Sequence, residues 1–565
     1  MTERLSGAES LLRVLVSAGT RHVFGLPGVT SARILDQLVV HPELQYILGK
    51  HEGPVVAMAD GYAKITGRPA VACLYGIAGV GNAISLLYDT HKDRTPLVVI
   101  ASQQDQGLRL GTESVVEGDV VPLVQQFTRY ATEVNRVDRI ADSVARAFKT
   151  AAAPPAPGPT LVSVPMNLLG EDCDVEVPDV SRLTVSTTML GDPAQLEHAI
   201  HLLAHAKHPL ILGGSQVTRH GAVAELVELA ELLAAPVAYE NFYNDRLCIP
   251  ASHECALGDF YPTHPDVQAA DVVLGVGCRL HHQVHRAPEP LLPRSAKLVH
   301  VNLEPELIGM TTAVDAAIVA DPRSALRALI AGVRGQLDST VVERRRAERR
   351  ERNAAQRAAV TRWGRQGWDD APIKSWRIVQ ELDEVVGAEA VFVAELTSYQ
   401  RIITRFLQRV RPERFFADTG GCLGWGLGAA AGMKLARPES PVVCCVGDGA
   451  FLFGLQALWS IANYAIPTVT IVFNNGGYFS TRRHTENLRR HTIETGTYVA
   501  GDMADDPTDC AKIAEGFGIW GRRIDRPEAF RPALEEALAS GRPAVLDVRV
   551  SRDSATLSAA IPGFP

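Results

Sequence analysis

Short apolar runs recur along the chain, each closed by a glycine, proline or polar turn and followed by a stretch with helical spacing. That alternation predicts parallel strands joined by crossover helices. In the first part a helix is expected over residues 7–18. Strands are expected over 22–25, 70–74, 97–101 and 160–164, with a Leu-Pro-Gly turn at 26–28 and a proline-rich loop at 153–159. A second series of strands is expected at 209–212, 236–238, 271–276 and 297–301, and a third at 390–394, 441–446 and 468–473. The chain therefore reads as α/β, with three doubly wound domains built on mainly parallel sheets. Their expected bounds are 1–185, 190–335 and 373–565. Between the last two, 336–372 is rich in arginine, glutamate and alanine, and its charge run at 343–352 is read as a solvated helical linker. The first and third domains share length and alternation, which suggests a duplicated fold.

Composition narrows the classes of function. At 565 residues the chain exceeds one ordinary core. A net charge of −8 gives no reason to expect nucleic acid, and no apolar run approaches a membrane span. The 9 cysteines are scattered without metal-ligand or disulfide spacing. The amino-terminal segment lacks signal-peptide architecture, so a cytoplasmic protein is expected. Gly213-Gly214 and Gly275-Val276-Gly277 end two central strands but lack a dinucleotide fingerprint.

Chemistry concentrates in Gly447-Asp448-Gly449 and in Asn474-Asn475-Gly476-Gly477-Tyr478. Both follow expected strands, where open α/β sheets bind ligands. An anionic and a neutral oxygen donor, Asp448 and Asn475, suit Mg²⁺, which takes few protein ligands and fills its shell with phosphate oxygens and water. The glycines let backbone approach a diphosphate. Far upstream, His51-Glu52-Gly53 opens a helix whose alanine and glycine spacing suits close packing against another helix.

Taken together, these segments resemble the thiamine-diphosphate-dependent decarboxylases and carboligases, over the whole chain and in domain order. The resemblance implies a pyrimidine-binding domain, a central domain and a diphosphate-binding domain, with thiamine diphosphate and Mg²⁺ as cofactors. It implies that Glu52 hydrogen-bonds the aminopyrimidine and activates the cofactor. It places Gly421 and Leu423 at the pyrimidine, Leu423 as the apolar wedge beneath it. Thr397 and Ser398 fit as hydroxyl donors to the diphosphate, and either also fits a helix cap. Gly449, Ala450 and Tyr478 border the phosphates. The metal falls to the side chains of Asp448 and Asn475 and to the carbonyl of Gly477. Because Glu52 and the diphosphate anchor come from different subunits in this family, a homodimer or homotetramer is implied.

Within the family the resemblance runs nearest to benzoylformate decarboxylase, through 59–63, 78–83, 96–99 and 102–104. Departures stand where that enzyme keeps its acid and base: Val29 replaces a serine and Tyr75 a histidine. A second histidine is displaced, with Val284 in register and His285 one residue on. Tyr75 and His285 are the candidate proton-transfer groups; His51, His91, His281 and His282 are further titratable positions, and Arg482 or Arg483 could hold an acidic substrate. The expected reaction is non-oxidative cleavage or formation of a C–C bond next to a carbonyl, with a 2-oxo acid, aldehyde or acyloin as substrate. The versions are 2-oxo-acid decarboxylation and acyloin-forming carboligation or lysis. A non-catalytic cofactor-binding paralogue is the third reading.

Overall fold

The computed structural model describes residues 2–109, 115–183, 185, 188–240, 245–280, 290–310, 312–501, 503 and 507–552. Three 6-stranded sheets, every pairing in them parallel, form the three α/β domains. The first sheet runs Gln45–Leu48, His22–Gly25, Ala70–Tyr75, Leu97–Gln103, Pro159–Pro165, Tyr130–Glu133. The third runs Phe415–Ala417, Val391–Glu395, Val442–Gly447, Thr468–Asn474, Ala544–Arg549, Trp520–Ile524. Counted within each sheet, both follow the order 2-1-3-4-6-5, so the expected duplication holds at the level of topology. The central sheet has the different order 3-2-1-4-5-6. A small antiparallel pair, Glu3–Ser6 with Asp172–Val175, closes the first domain.

The interior strands read as unbroken apolar runs because helices cover both faces, as Leu97–Gln103 shows by being buried throughout. Helix Glu52–Thr66 of the first domain lies against Gly426–Ala436 of the third. Glycines set their separation. A Cβ at Gly61 would fall 2.2 Å from the Ala429 carbonyl oxygen, and one at Gly432 would fall 1.9 Å from that of Met58. The alanine and glycine spacing of 53–63 thus serves helix–helix contact.

The charged segment forms one helix, Ser339–Trp363, but it is not solvated all round. Arg345 and Arg349 are buried against the central domain. Arg346 donates to the Glu231 carbonyl at 3.2 Å, Arg349 pairs with Glu254 at 3.2 Å, and Arg357 donates to the Ser252 carbonyl at 2.8 Å. Guanidinium groups laid on carbonyls near a helix end explain how so polar a helix docks. No helix among the described residues is long and apolar enough to cross a membrane.

Candidate functional site

In the third sheet Val391–Glu395 and Val442–Gly447 are neighbours, and the strand order reverses between them. A crevice opens at such a point, outside the carboxyl ends of the strands. Asp448 begins helix Asp448–Gly454 at that edge. The adjoining strand Thr468–Asn474 delivers Asn475 beside it. Asp448 Oδ2 accepts the Gly476 N–H at 2.9 Å, and Asn475 Oδ1 accepts the Gly477 N–H at 3.0 Å. Asn475 Nδ2 donates to the Tyr399 hydroxyl at 3.0 Å. Arg552 Nε donates to the Asn475 carbonyl at 2.8 Å, which holds the turn from behind. Burial pushes the Asp448 carboxyl up to about 6, against the opposing N–H groups of Gly449 and Gly476. Tyr478 lays its ring over Gly449, where a Cβ would meet it at 2.7 Å. Ala450 is buried in the same helix.

Thr397 and Ser398 follow strand Val391–Glu395 and keep surface. Helix Gln400–Phe406 starts after Tyr399, so neither hydroxyl caps it. Together with Glu395, Asp418, Gly421 and Leu423, Thr397 lines a cavity of about 80 Å³. Leu423 is half-buried there, and Gly421 takes a φ of +77°, which disfavours any side chain. A separate cavity of about 410 Å³, bordered by Arg357 and Phe406, lies under the 339–363 helix.

Glu52 is the first residue of helix Glu52–Thr66 and is buried. Its Oε2 accepts Asn82 Nδ2 at 3.1 Å, and a Cβ at Gly79 would come within 2.9 Å of its Oε1. Asn82 and Gly79 therefore orient the carboxylate and give it room. Glu52 shares no hydrogen bond with the 448–478 loops among the described residues. His51 spends its Nδ1 on the Gly53 N–H at 3.1 Å. Tyr75 ends its strand and packs its ring on Gly28, and Val29 next to that turn is 74% exposed. His281, His282 and His285 lie outside the described residues. Arg482 is engaged by Glu486 at 3.3 Å and by the Tyr498 ring. Sequence reading had no signal for Asn82, Tyr399 or Arg552 as partners. Glu395 was visible as the residue closing a strand, a position that could have marked it.

At the ends of the central strands the glycines serve packing. A Cβ at Gly214 would fall 2.3 Å from the Gly277 carbonyl oxygen. Gln216 reaches Asn302 at 2.9 Å across the crevice, and Gln216, Arg219 and Glu304 also line a cavity of about 400 Å³ that extends to Lys64 and Arg246.

A buried ionic junction joins the domains beside the crevice. Lys64 Nζ lies 2.5 Å from Asp93 and 3.5 Å from Asp60, and donates to the Ala417 carbonyl at 3.0 Å. Asp60 accepts the Trp425 indole N–H at 2.7 Å, and Asp93 accepts the Thr419 N–H at 3.1 Å. Burial pulls the Lys64 ammonium down, but Asp60 and Asp93 outweigh it and hold it above its ordinary value.

Carboxyls outnumber cations here. Burial and then Asp93 push Asp418 up to about 7. Burial and Asp418 also raise Asp89 well above the usual carboxylate range. Glu395 feels the same burial and the same Asp418, but its two oxygens accept the N–H groups of Gly424 and Gly426, the arrangement of an ionised carboxylate. Unfolded carboxyls titrate near pH 4. Between there and about pH 7 the folded chain keeps protons on Asp418 and Asp89 that the unfolded chain has released, so stability falls as pH rises through that window. The cofactor-free protein should lose several degrees of melting temperature between pH 5.5 and 8.5, and Asp418→Asn should flatten the slope. A wild-type melting temperature that rises over this range contradicts the assignment.

The donor set fits a divalent cation carrying a diphosphate: a buried carboxylate, an amide oxygen and main-chain carbonyls beside glycine N–H groups. The comparisons with known proteins agree. Residues 5–122, 196–329 and 395–548 match the models of the N-terminal TPP binding domain, the central domain and the C-terminal TPP binding domain of thiamine pyrophosphate enzymes. The benzoylformate decarboxylase of Pseudomonas aeruginosa is 30% identical over 95% of this chain and 97% of its own. The probable acetolactate synthase large subunit of Methanococcus aeolicus is 28% identical over 99% of this chain and 94% of its own. Among solved structures, the thiamine diphosphate-dependent 4-hydroxybenzoylformate decarboxylase of Rhodococcus jostii RHA1 superposes with a TM-score of 0.82 at 27% identity, covering 97% of this chain and 99% of that one.

Proposed function

The chain belongs to the thiamine pyrophosphate enzymes, and from that premise we propose that it is a 2-oxo-acid decarboxylase of the benzoylformate-decarboxylase type. The observation that carries the reading is the pair of strand-end loops at the reversal of the third sheet, where Asp448 and Asn475 stand on neighbouring strands with glycine N–H groups around them. Asp448, Asn475 and the Gly477 carbonyl hold Mg²⁺. Thr397, Ser398, Gly449, Ala450 and Tyr478 border the diphosphate, and Gly421 and Leu423 border the pyrimidine. Bound there, thiamine diphosphate supplies an electron sink beside the carbonyl carbon of the substrate.

The chain's own residues bind, orient and move a proton. Asn82 holds the Glu52 carboxyl through Oε2, which leaves Oε1 over Gly79 as the oxygen that would hydrogen-bond the pyrimidine and hold or release its proton there. Glu52 of one subunit meets the diphosphate anchor of another, in a homodimer or a pair of dimers. The substrate side is formed by Tyr75 and the turn at Val29, with His285 as a further proton-transfer candidate.

A second reading, acyloin-forming carboligase or lyase, is favoured by the first-domain turn. Val29 offers no proton, and Tyr75 brings a hydroxyl where the benzoylformate-decarboxylase pattern has an imidazole. Removing proton donors there favours capture of a second carbonyl over protonation. The deciding experiment incubates the protein with thiamine diphosphate, Mg²⁺ and a panel of benzoylformate, phenylpyruvate and pyruvate, with and without added aldehyde. Free aldehyde and CO₂ are expected. Acyloin as the main product selects the second reading, and absence of cofactor binding discards both.

A further inference from the structure

Glu395 ends the strand beside the crevice and is buried there. Its Oε1 accepts the Gly424 N–H at 2.6 Å and its Oε2 accepts the Gly426 N–H at 2.7 Å. Gly426 is the first residue of helix Gly426–Ala436, so the carboxylate also meets the positive end of that helix. Neither glycine has slack. Gly424 sits at a φ of +100°, and a Cβ at Gly426 would be 3.0 Å from Glu395 Oε2. Leu423 directly precedes this clamped turn and faces the cavity shared with Thr397 and Gly421.

We propose that Glu395 is a positioning residue whose two carboxylate oxygens fix the 421–426 turn and so set where Leu423 stands beneath the pyrimidine end of thiamine diphosphate. The inference rests on the cofactor reading above. It separates Glu395 from the metal donors and from the diphosphate residues on the 448–454 and 475–478 segments, which do not bond to it; Thr397 and Ser398 follow it on the same segment, and the carboxylate oxygens turn instead to Gly424 and Gly426. A glutamine at this position has one acceptor and one donor. One of the two glycine N–H groups would then face an NH₂, and the turn has to shift to relieve it.

The test titrates wild-type protein, Glu395→Gln and Leu423→Ala with two ligands by calorimetry, each with Mg²⁺: thiamine diphosphate, and inorganic pyrophosphate, which engages only the anchor. Both variants should bind thiamine diphosphate at least tenfold more weakly while pyrophosphate affinity stays within twofold. General damage to the fold would weaken both ligands alike, so an equal loss in Glu395→Gln overturns the proposal. So does a Glu395→Gln or Leu423→Ala variant with unchanged thiamine diphosphate affinity. In the double variant the losses should not add, because both act through one side chain; full additivity counts against the idea. A wild-type chain that takes pyrophosphate but not thiamine diphosphate overturns the cofactor reading, and this inference with it.

Discussion

Replacing Glu52 with glutamine should lower turnover by about 10²–10⁴-fold, the range a positioned acid–base group contributes. Cofactor affinity should change by no more than about tenfold, because a single hydrogen bond of this kind contributes roughly 0.5–1.5 kcal/mol to binding. The asymmetry follows from geometry. Glu52 is buried at the first turn of its helix, oriented by Asn82, and lies apart from the metal and diphosphate donors. The glutamine keeps the shape and the contact with Asn82 but cannot exchange a proton at neutral pH. Steady-state rates and calorimetric titration, measured on the same preparations, check the two halves. Turnover within threefold of wild type would remove Glu52 from the mechanism. Equal loss of rate and affinity would make it a binding residue only.

Lys64→Met is expected to destabilise the protein by about 3–5 kcal/mol, the usual consequence of removing one partner of a buried ion pair. The Lys64 side chain is 2% exposed, and the Asp60 and Asp93 side chains it neutralises are 1% and 0% exposed. Without the ammonium both carboxylates stay buried with no ion-pair partner among the described residues, left to the more distant charge of Arg246. Adding Asp93→Asn to Lys64→Met should recover part of the loss, since the uncompensated charge is then removed. Denaturant midpoints for the single and double variants measure this. A loss below 1 kcal/mol for Lys64→Met, or a double variant less stable than the single, contradicts the account.

This junction also adds to what the sequence showed of Asp60-Gly-Tyr62-Ala63, whose small residues read as a helix-packing surface. In the structure Asp60 holds the Trp425 indole N–H, and Gly61 lets a backbone approach, so the segment is a joint between domains. Apolar interior strands such as Val442–Gly447 and Leu97–Gln103 were legible because burial on both faces leaves no polar interruption. Edge strands were not. Tyr130–Glu133 is only half-buried along its length, and Phe415–Ala417 is too short to carry a period. Asp448 and Asn475 stood out because glycines punctuate them within a few residues. Their supports did not, because Tyr399 and Arg552 reach Asn475 from 76 and 77 residues away. The charge run at 343–352 read as solvated because sequence cannot show that Arg345 is buried or that Arg349 finds a carbonyl and a carboxylate on another domain.

The shared strand order of the first and third sheets has a consequence for how such a chain diversifies. Each sheet has its own reversal point, one ending in Gly25 and Tyr75, the other in Glu395 and Gly447. In the proposed function the second anchors the diphosphate, while the first carries Val29 and Tyr75 on the substrate side. With the same strand order at both ends of the chain, the two reversal points are equivalent places built from different residues. Substitutions can accumulate at the first, and change what the protein acts upon, while the anchor at the second stays in place.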